Sequence, residues 1–320
     1  MNAPRVLVTG ARGFVGEAVV FRMLLDRRFV PVAAVRGETR LKGLCPIVSL
    51  DLAGGTTLPD LKGIDVIVHA AARVHVMDDD SSDPLAEYRR VNVEGTVQLA
   101  LKAAAEGVKR FIFISSIKVN GELTGVGKPF TALDQPAPKD PYGVSKLEAE
   151  LALRKIAQDT GMELVIIRSP LVYGPGVRAN FLSMMRWLDK GVPLPLGAID
   201  NRRSLVSLTN LVDLVVTCID HSRAGGQVFL VSDGEDLSTT ALLKSMAHAL
   251  GRKTSLVPLP AAMLVWPATL LGRKALAQRL CGSLQVDISH TQKILGWTPP
   301  STMERALRQT ADHYLDNKNR

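Results

Sequence analysis

Aromatic residues make up only 5% of this 320-residue chain, and there are three cysteines and six histidines. Each scarcity excludes something. Cys45, Cys218 and Cys281 stand alone, odd in number and unmatched by histidine at ligand spacing, so no disulfide framework or zinc site is expected and no metal is assigned. Aromatics do not interleave with the basic pairs Arg27-Arg28, Arg89-Arg90, Arg202-Arg203 and Arg273-Lys274, which speaks against a nucleic-acid surface despite a net charge of +8. No apolar run is long enough to span a bilayer. The nearest, Leu256 to Leu271, is interrupted by Pro258, Pro260 and Pro267 and followed by Arg273, and reads as a buried or interfacial segment. Met1 to Arg5 leads straight into an apolar strand pattern without a secretory leader, and a reducing cytoplasm is the expected location.

What is present is a globular composition, 46% hydrophobic and 22% charged. Short β-branched runs recur at Arg5–Thr9, Val30–Val35, Ile47–Leu50, Val66–Ala70, Phe111–Ser115, Leu164–Arg168 and Val228–Val231. Helical patterns lie between them at Phe14–Asp26, Pro84–Glu106, Pro141–Thr160 and Leu211–His221. Continuous apolar strands alternating with helices predict an α/β fold with a doubly wound parallel sheet.

The first strand runs into Thr9-Gly10-Ala11-Arg12-Gly13-Phe14-Val15-Gly16. Glycines there let the backbone turn tightly and approach a pyrophosphate, whose charge the following helix N-terminus stabilises. The spacing is Gly-x-x-Gly-x-x-Gly, not the commoner Gly-x-Gly-x-x-Gly. Where an NAD-type protein places an acid on the ribose 2′-hydroxyl, this chain has Arg36, which with Arg12 and Arg40 suits a 2′-phosphate. NADP(H) is therefore the favoured cofactor, with NAD(H) as the alternative. Asp51-Leu52 follows the third strand at a place suited to the adenine, and Ala70, Ala71 and Ala72 end the fourth with small side chains that admit a cofactor. His69 and His75 read as structural, and Asp78-Asp79-Asp80 as a solvated loop. Asn92 is a polar residue inside an apolar helical pattern, suited to satisfying a kinked backbone beside the cofactor. Ser115 and Ser116 come at the carboxyl end of a strand, where ligands bind in such sheets.

Asp140-Pro141-Tyr142-Gly143-Val144-Ser145-Lys146 opens a long helix, with Asp140 as N-cap, Pro141 in the first turn, a stripe through Leu147, Leu151 and Ile156, and Gly161 as stop. Tyr142 and Lys146 are i and i+4, and an ammonium one turn from a phenol lowers its pKa.

Taken together, the glycine loop, His-Ala-Ala-Ala, Asn92, Ser115-Ser116, Tyr142-x-x-x-Lys146, the run Arg168 to Pro175 and Ile294 to Pro299 resemble the extended short-chain dehydrogenase/reductases that act on nucleotide sugars. The resemblance covers essentially the whole chain. It implies a Rossmann domain over 1–172, with 204–232 returning to it, and a smaller substrate-binding domain over 173–203 and 233–320. It implies Ser116, Tyr142 and Lys146 as catalytic residues, Pro170 and Val172 beside the cofactor, Asn180, Arg203 and Arg279 on the diphosphate of a UDP-sugar, and a homodimer. Dehydratases of this family carry Asp-Glu after the catalytic Ser/Thr; Ile117-Lys118 stands there instead, which argues against dehydration. Asn120 replaces a tyrosine common in that loop. The arginines make the nearest likeness the bacterial NADPH-dependent reductases of UDP-4-keto-6-deoxy-N-acetylhexosamines in O-antigen synthesis, with a UDP-N-acetylhexosamine or UDP-hexose 4-epimerase holding NAD as the alternative. Trp187, Trp266 and Trp297 are expected to pack, not to stack on a base.

Overall fold

The computed structural model describes residues 3–53, 58–74, 83–125, 127–270, 278 and 280–318. Each β-branched run becomes a strand: β1 (Arg5–Thr9), β2 (Val30–Val35), β3 (Ile47–Ser49), β4 (Val66–His69), β5 (Arg110–Ser116), β6 (Glu163–Ser169) and β9 (Val228–Leu230). They pair in parallel in the order β3-β2-β1-β4-β5-β6-β9. The order reverses between β1 and β4, and the crevice above their carboxyl ends is where a doubly wound sheet takes its ligand.

Alternation along β1 shows why these strands are apolar throughout. Val6 and Val8 face one core with Val19 and Met23 of α1 (Phe14–Asp26) and Leu211 and Leu214 of α6 (Leu208–Asp220). Leu7 faces the other, with Leu99 and Ala103 of α3 (Gly95–Ala105) and Leu153 of α4 (Pro141–Thr160). Leu7, Val6 and Val8 are each almost wholly buried, worth roughly 1.5–3 kcal/mol apiece in transfer free energy.

Two expectations change. The helix expected from Pro84 to Glu106 is divided: α2 (Pro84–Arg89) passes through a π turn, Arg90–Glu94, before α3. Such turns mark places where a helix bends to serve a site. On α4 the buried face is Ser145, Lys146, Ala149, Glu150, Leu153 and Ile156, while Leu151 is 57% exposed. Of the expected stripe only Ile156 is on the buried face, which Lys146 and Glu150 occupy in place of Leu151.

Three further strands, β7 (Leu171–Tyr173), β8 (Arg203–Ser207) and β10 (Asp236–Leu237), form a second sheet in the order β10-β8-β7. A third core surrounds it, with Tyr173, Phe181 and Leu188 from β7 and α5 (Ala179–Asp189), Leu243 and Met246 from α7 (Thr239–Ala249), and Leu307 from α10 (Met303–Lys318). Asp233 ties this sheet to α6: it accepts from Tyr173 Oη at 2.7 Å, Ser207 N at 2.8 Å and Asn210 Nδ2 at 2.6 Å. The segment after Leu256 enters α8 (Ala261–Leu270), where Met263 is 62% exposed. Among the described residues, no helix is long and apolar enough to cross a membrane. The remaining helix is α9 (Ser289–Leu295).

Candidate active site

The glycine loop is packed on itself and on the end of β4. A Cβ on Gly10, whose φ is +64°, would lie 2.7 Å from Ala71 N, and one on Gly16 would lie 2.4 Å from Gly10 O. Both positions therefore exclude any side chain. Small residues at Ala70 and Ala71 serve this close approach of backbone to backbone. Gly13 caps α1 without a side-chain hydrogen bond, and the first N–H groups, those of Phe14, Val15 and Gly16, have no partner within the helix. Free N–H donors at the positive end of a helix dipole, approached by glycine alone, fit the pyrophosphate of a dinucleotide.

Arg12 and Arg36 come together at the end of β2: Arg12 Nη1 donates to the Arg36 carbonyl at 2.7 Å. Arg36 is exposed and lies 3.7 Å from Asp51. Arg40 is turned away, forked onto Glu17 and stacked over Phe21 at 5.3 Å. Leu52 packs beneath Gly95, where a Cβ would meet Leu52 O at 2.7 Å. His69 is fully buried, with Nδ1 2.8 Å from Thr9 Oγ1 and Nε2 3.0 Å from Thr96 Oγ1. Burial and then the charge of Lys146 push its pKa down to about 3, so it is a neutral structural residue. His75 and the acidic run Asp78-Asp79-Asp80 lie outside the described residues.

Asn92 sits in the π turn and is almost wholly buried. Its Oδ1 accepts from Arg73 N at 2.8 Å, and its Nδ2 donates to Arg73 O at 3.1 Å and Ser145 Oγ at 3.1 Å. Ser145 Oγ in turn donates to Tyr142 O at 2.8 Å. The backbone that Asn92 satisfies is thus the segment following β4, and the bend in the helix brings that segment to the first turn of α4.

That first turn is built as its residues dictate. Asp140 accepts from Gly143 N at 2.7 Å, Pro141 fills the first turn, and Gly161 closes the helix with φ +75°. A cap of this kind contributes about 1 kcal/mol. Gly143 lets the turn press on the segment after Ser116: a Cβ there would lie 2.9 Å from Lys118 O. Lys118 Nζ pairs with Asp140, and Ala137 N donates to Val119 O at 2.9 Å. Ser116, ending β5, is locked to the helix that carries Tyr142. Its own Oγ accepts from Lys118 N at 3.3 Å.

Tyr142 is half-buried, its ring edge-on to Tyr88 at 5.9 Å. Burial, then the Asp140 carboxylate and the neighbouring Tyr88, raise its pKa above the ordinary 10. The lowering expected from Lys146 is absent, for a reason visible in Lys146 itself. That ammonium is 1% exposed and rests 3.9 Å from the centre of the Phe113 ring. Burial pushes its pKa down to about 7, against an upward pull from Glu150. At neutral pH Tyr142 is a phenol able to donate a proton, beside an amine that is charged only part of the time.

The other residues singled out by sequence are more dispersed. Ser115 Oγ donates to Glu150 Oε1 at 2.5 Å, so its hydroxyl belongs to a buried network under the site. Pro170 joins β6 to β7, and Val172 pairs with Val206. Asn180 is exposed in the first turn of α5. Arg203 opens β8 and donates from Nη1 to Gly282 O at 3.0 Å. Arg279 lies outside the described residues. Trp297 is buried with Nε1 donating to Asp213 Oδ1 at 2.9 Å, as packing requires, whereas Trp187 is 46% exposed. Sequence reasoning missed Tyr88, Glu150 and the bond of Arg168 to it. A glutamate falling on the same helix face as Lys146, Leu153 and Ile156 was the available signal.

Comparison with known proteins agrees with this geometry. The sequence model of the NAD dependent epimerase/dehydratase family matches residues 6–232. A Vibrio cholerae protein named UDP-glucose 4-epimerase is 50% identical over 318 residues, spanning 98% of this chain and 97% of its own. The solved structure of MoeE5 in complex with UDP-glucose and NAD superposes with a TM-score of 0.78 at 26% identity, over 99% of this chain and 100% of that one. UDP-glucuronic acid 4-epimerase from Bacillus cereus, in complex with NAD, shares the fold at a TM-score of 0.78 and 21% identity, over 98% of this chain and 99% of that one. The chain is an enzyme of the NAD dependent epimerase/dehydratase family.

Proposed function

We propose that the protein is a UDP-sugar 4-epimerase that works with a retained nicotinamide dinucleotide. The observation that carries this reading is the half-identity to the Vibrio cholerae UDP-glucose 4-epimerase along nearly the whole of both chains. The order of preference given by the arginines alone is thereby reversed, since the ketoreductase reading rests on them and the whole-length likeness favours the epimerase. Dehydration is disfavoured because Ile117 and Lys118 follow Ser116, and Lys118 is paired to Asp140.

The bound dinucleotide would supply the hydride chemistry at C4 of the sugar. Phe14, Val15 and Gly16 would hold its pyrophosphate through backbone N–H groups, and Asp51 and Leu52 would border the adenine. Ser116 would hydrogen-bond the C4 oxygen, and Tyr142 would take the hydroxyl proton on oxidation and return it on reduction. Lys146 would favour the phenolate in the first of these steps. Asn180, Arg203 and Arg279 are assigned to the UDP diphosphate. A second copy of the chain would complete the working unit, and Leu101 on α3 and Leu151 on α4, 51% and 57% exposed, support those helices as its contact.

One observation favours a second reading. Exposed Arg36 with Arg12 beside it, where an acid would read a ribose 2′-hydroxyl, suits NADPH and hence a 4-ketoreductase. The test is to incubate the purified protein with UDP-glucose and with UDP-N-acetylglucosamine, adding no cofactor, and to follow C4 inversion by NMR. Equilibration of the C4 epimers is expected. No inversion, together with NADPH oxidation on a UDP-4-keto-6-deoxy sugar, would overturn the epimerase in favour of the reductase.

A further inference from the structure

We propose that Glu150, gripped by Arg168, is a positioning residue that keeps Lys146 charged beside Tyr142. This rests on the reading of Tyr142 and Lys146 as the proton-transfer pair. Glu150 and Lys146 are one turn apart on the buried face of α4, each 1% exposed. Glu150 Oε1 accepts from Ser115 Oγ at 2.5 Å and Arg168 Nε at 3.0 Å, and Oε2 accepts from Arg168 Nη2 at 2.6 Å. Arg168 Nη1 goes on to Asn120 Oδ1 at 3.0 Å, and Asn120 Nδ2 to Thr131 O at 3.0 Å. The carboxylate therefore has a fixed position defined from β5, β6 and the loop after β5, one helical turn after Lys146.

The charges explain the need for it. Lys146 and Arg168 are both buried, and Glu150, one turn from Lys146 on α4 and paired with Arg168, is the buried carboxylate nearby. From β4, Lys146 faces His69, which stays neutral. From β5 it meets the Phe113 ring. On its own helix it has Tyr142 one turn before and Glu150 one turn after. Tyr88 of α2 faces Tyr142, and Asn92 of the π turn is neutral. Behind Glu150 and Arg168 opens a cleft of about 400 Å³ whose lining also carries Asp134, Arg154 and His290. Glu150 is thus the carboxylate fixed nearest to Lys146 on α4, and it opposes the burial that drives the proton off.

The experiment compares the wild type with Glu150→Gln, Glu150→Asp and Arg168→Gln, each loaded with cofactor. In the pH profile of kcat for C4 inversion, the alkaline limb marks loss of the Lys146 proton. Glu150→Gln should move that limb down by about one pH unit, the size of shift an opposite charge within about 4–6 Å produces. Arg168→Gln, which leaves the Glu150 carboxyl buried without its cation and so drives it neutral, should also move it down, and Glu150→Asp should leave it close to the wild type. The Lys146 proton itself, followed by NMR of isotope-labelled lysine side chains with Lys146→Met to assign the signal, gives a readout that needs no substrate. In Glu150→Gln that proton should be lost about one pH unit lower. If the wild type inverts no UDP-sugar, the epimerase reading fails and the Lys146 titration still decides the role of Glu150. If Glu150→Gln does not fold, Arg168→Gln carries the test. A uniform loss of rate with the limb and the Lys146 titration unmoved would overturn the proposal and make the pair purely structural.

Discussion

Protonating His69 should unlatch the cofactor loop from the sheet, and the structure sets the size of the effect. The imidazole is fully buried beside Phe111 and Phe113, with ring centres 5.5 and 5.8 Å away. Its pKa falls from 6.5 to about 3 through burial first and the charge of Lys146 second. In the unfolded chain the same ring takes a proton below 6.5, so the unfolded state binds more protons throughout the interval. The stabilisation is therefore complete above pH 6.5 and is lost as pH falls toward 3. At about 1.4 kcal/mol per pH unit, the whole interval amounts to roughly 5 kcal/mol and the part lost by pH 4.5 to about 3 kcal/mol. That is a large share of the 5–15 kcal/mol typical of a domain. Lys146 acts in a different window: its pKa is lowered from 10.5 to about 7, so its contribution rises with pH between those values and does not overlap. Carboxylates held low by their partners, such as Asp65 and Asp189, add acid sensitivity that any variant shares.

Urea unfolding at several pH values between 7 and 4.5, for the wild type and His69→Gln, measures the difference. The variant should be less stable at neutral pH, having lost a ring bonded at both nitrogens, but its stability should fall about 3 kcal/mol less on acidification. Thr9 Oγ1 also accepts from Ala71 N at 3.2 Å, so cofactor affinity should decline over the same window in the wild type. Parallel curves for the two proteins would refute the reasoning, since they would mean that the buried ring takes its proton without cost.

Three other outcomes are expected. Tyr142→Phe should lower kcat about 10²–10⁴-fold with dinucleotide affinity retained, measured by steady-state kinetics and cofactor fluorescence titration; near-normal turnover would remove Tyr142 from the chemistry. Gly10→Ala puts a Cβ 2.7 Å from Ala71 N at a φ of +64°, so it should cost about 3 kcal/mol and abolish the rise in melting temperature on adding cofactor. Arg36→Ser should weaken NADPH binding at least about tenfold while leaving NADH unchanged, the worth of one charge-assisted bond to a 2′-phosphate; equal, unchanged affinities would confine Arg36 to its pairing with Asp51.

Much of the large sheet was legible because its information is local. β-Branched runs, a glycine loop that no other residue can replace, and the Asp140 and Gly161 stops of α4 each act over a few residues. The second sheet was not, because β7 and β10 have only three and two residues and gain their place from distant pairing. The π turn also escaped: Asn92 announced an irregularity, but its partners Arg73 and Ser145 lie 19 and 53 residues away.

The site shows the same divide with a chemical consequence. Spacing placed Tyr142 and Lys146 on one helical face, and from that face alone the ammonium should lower the phenol's pKa. The fold buries the ammonium against Phe113, and burial weakens the very charge on which that inference depends. What opposes the burial is a glutamate one turn on, held by an arginine 18 residues farther along the chain. A lysine buried for catalysis needs a fixed anion within reach, and an anion buried for that purpose needs a cation of its own. The Tyr-x-x-x-Lys spacing therefore states only the outer half of the device, and Glu150 with Arg168 supplies the inner half, which becomes visible once β5, α4 and β6 are in register.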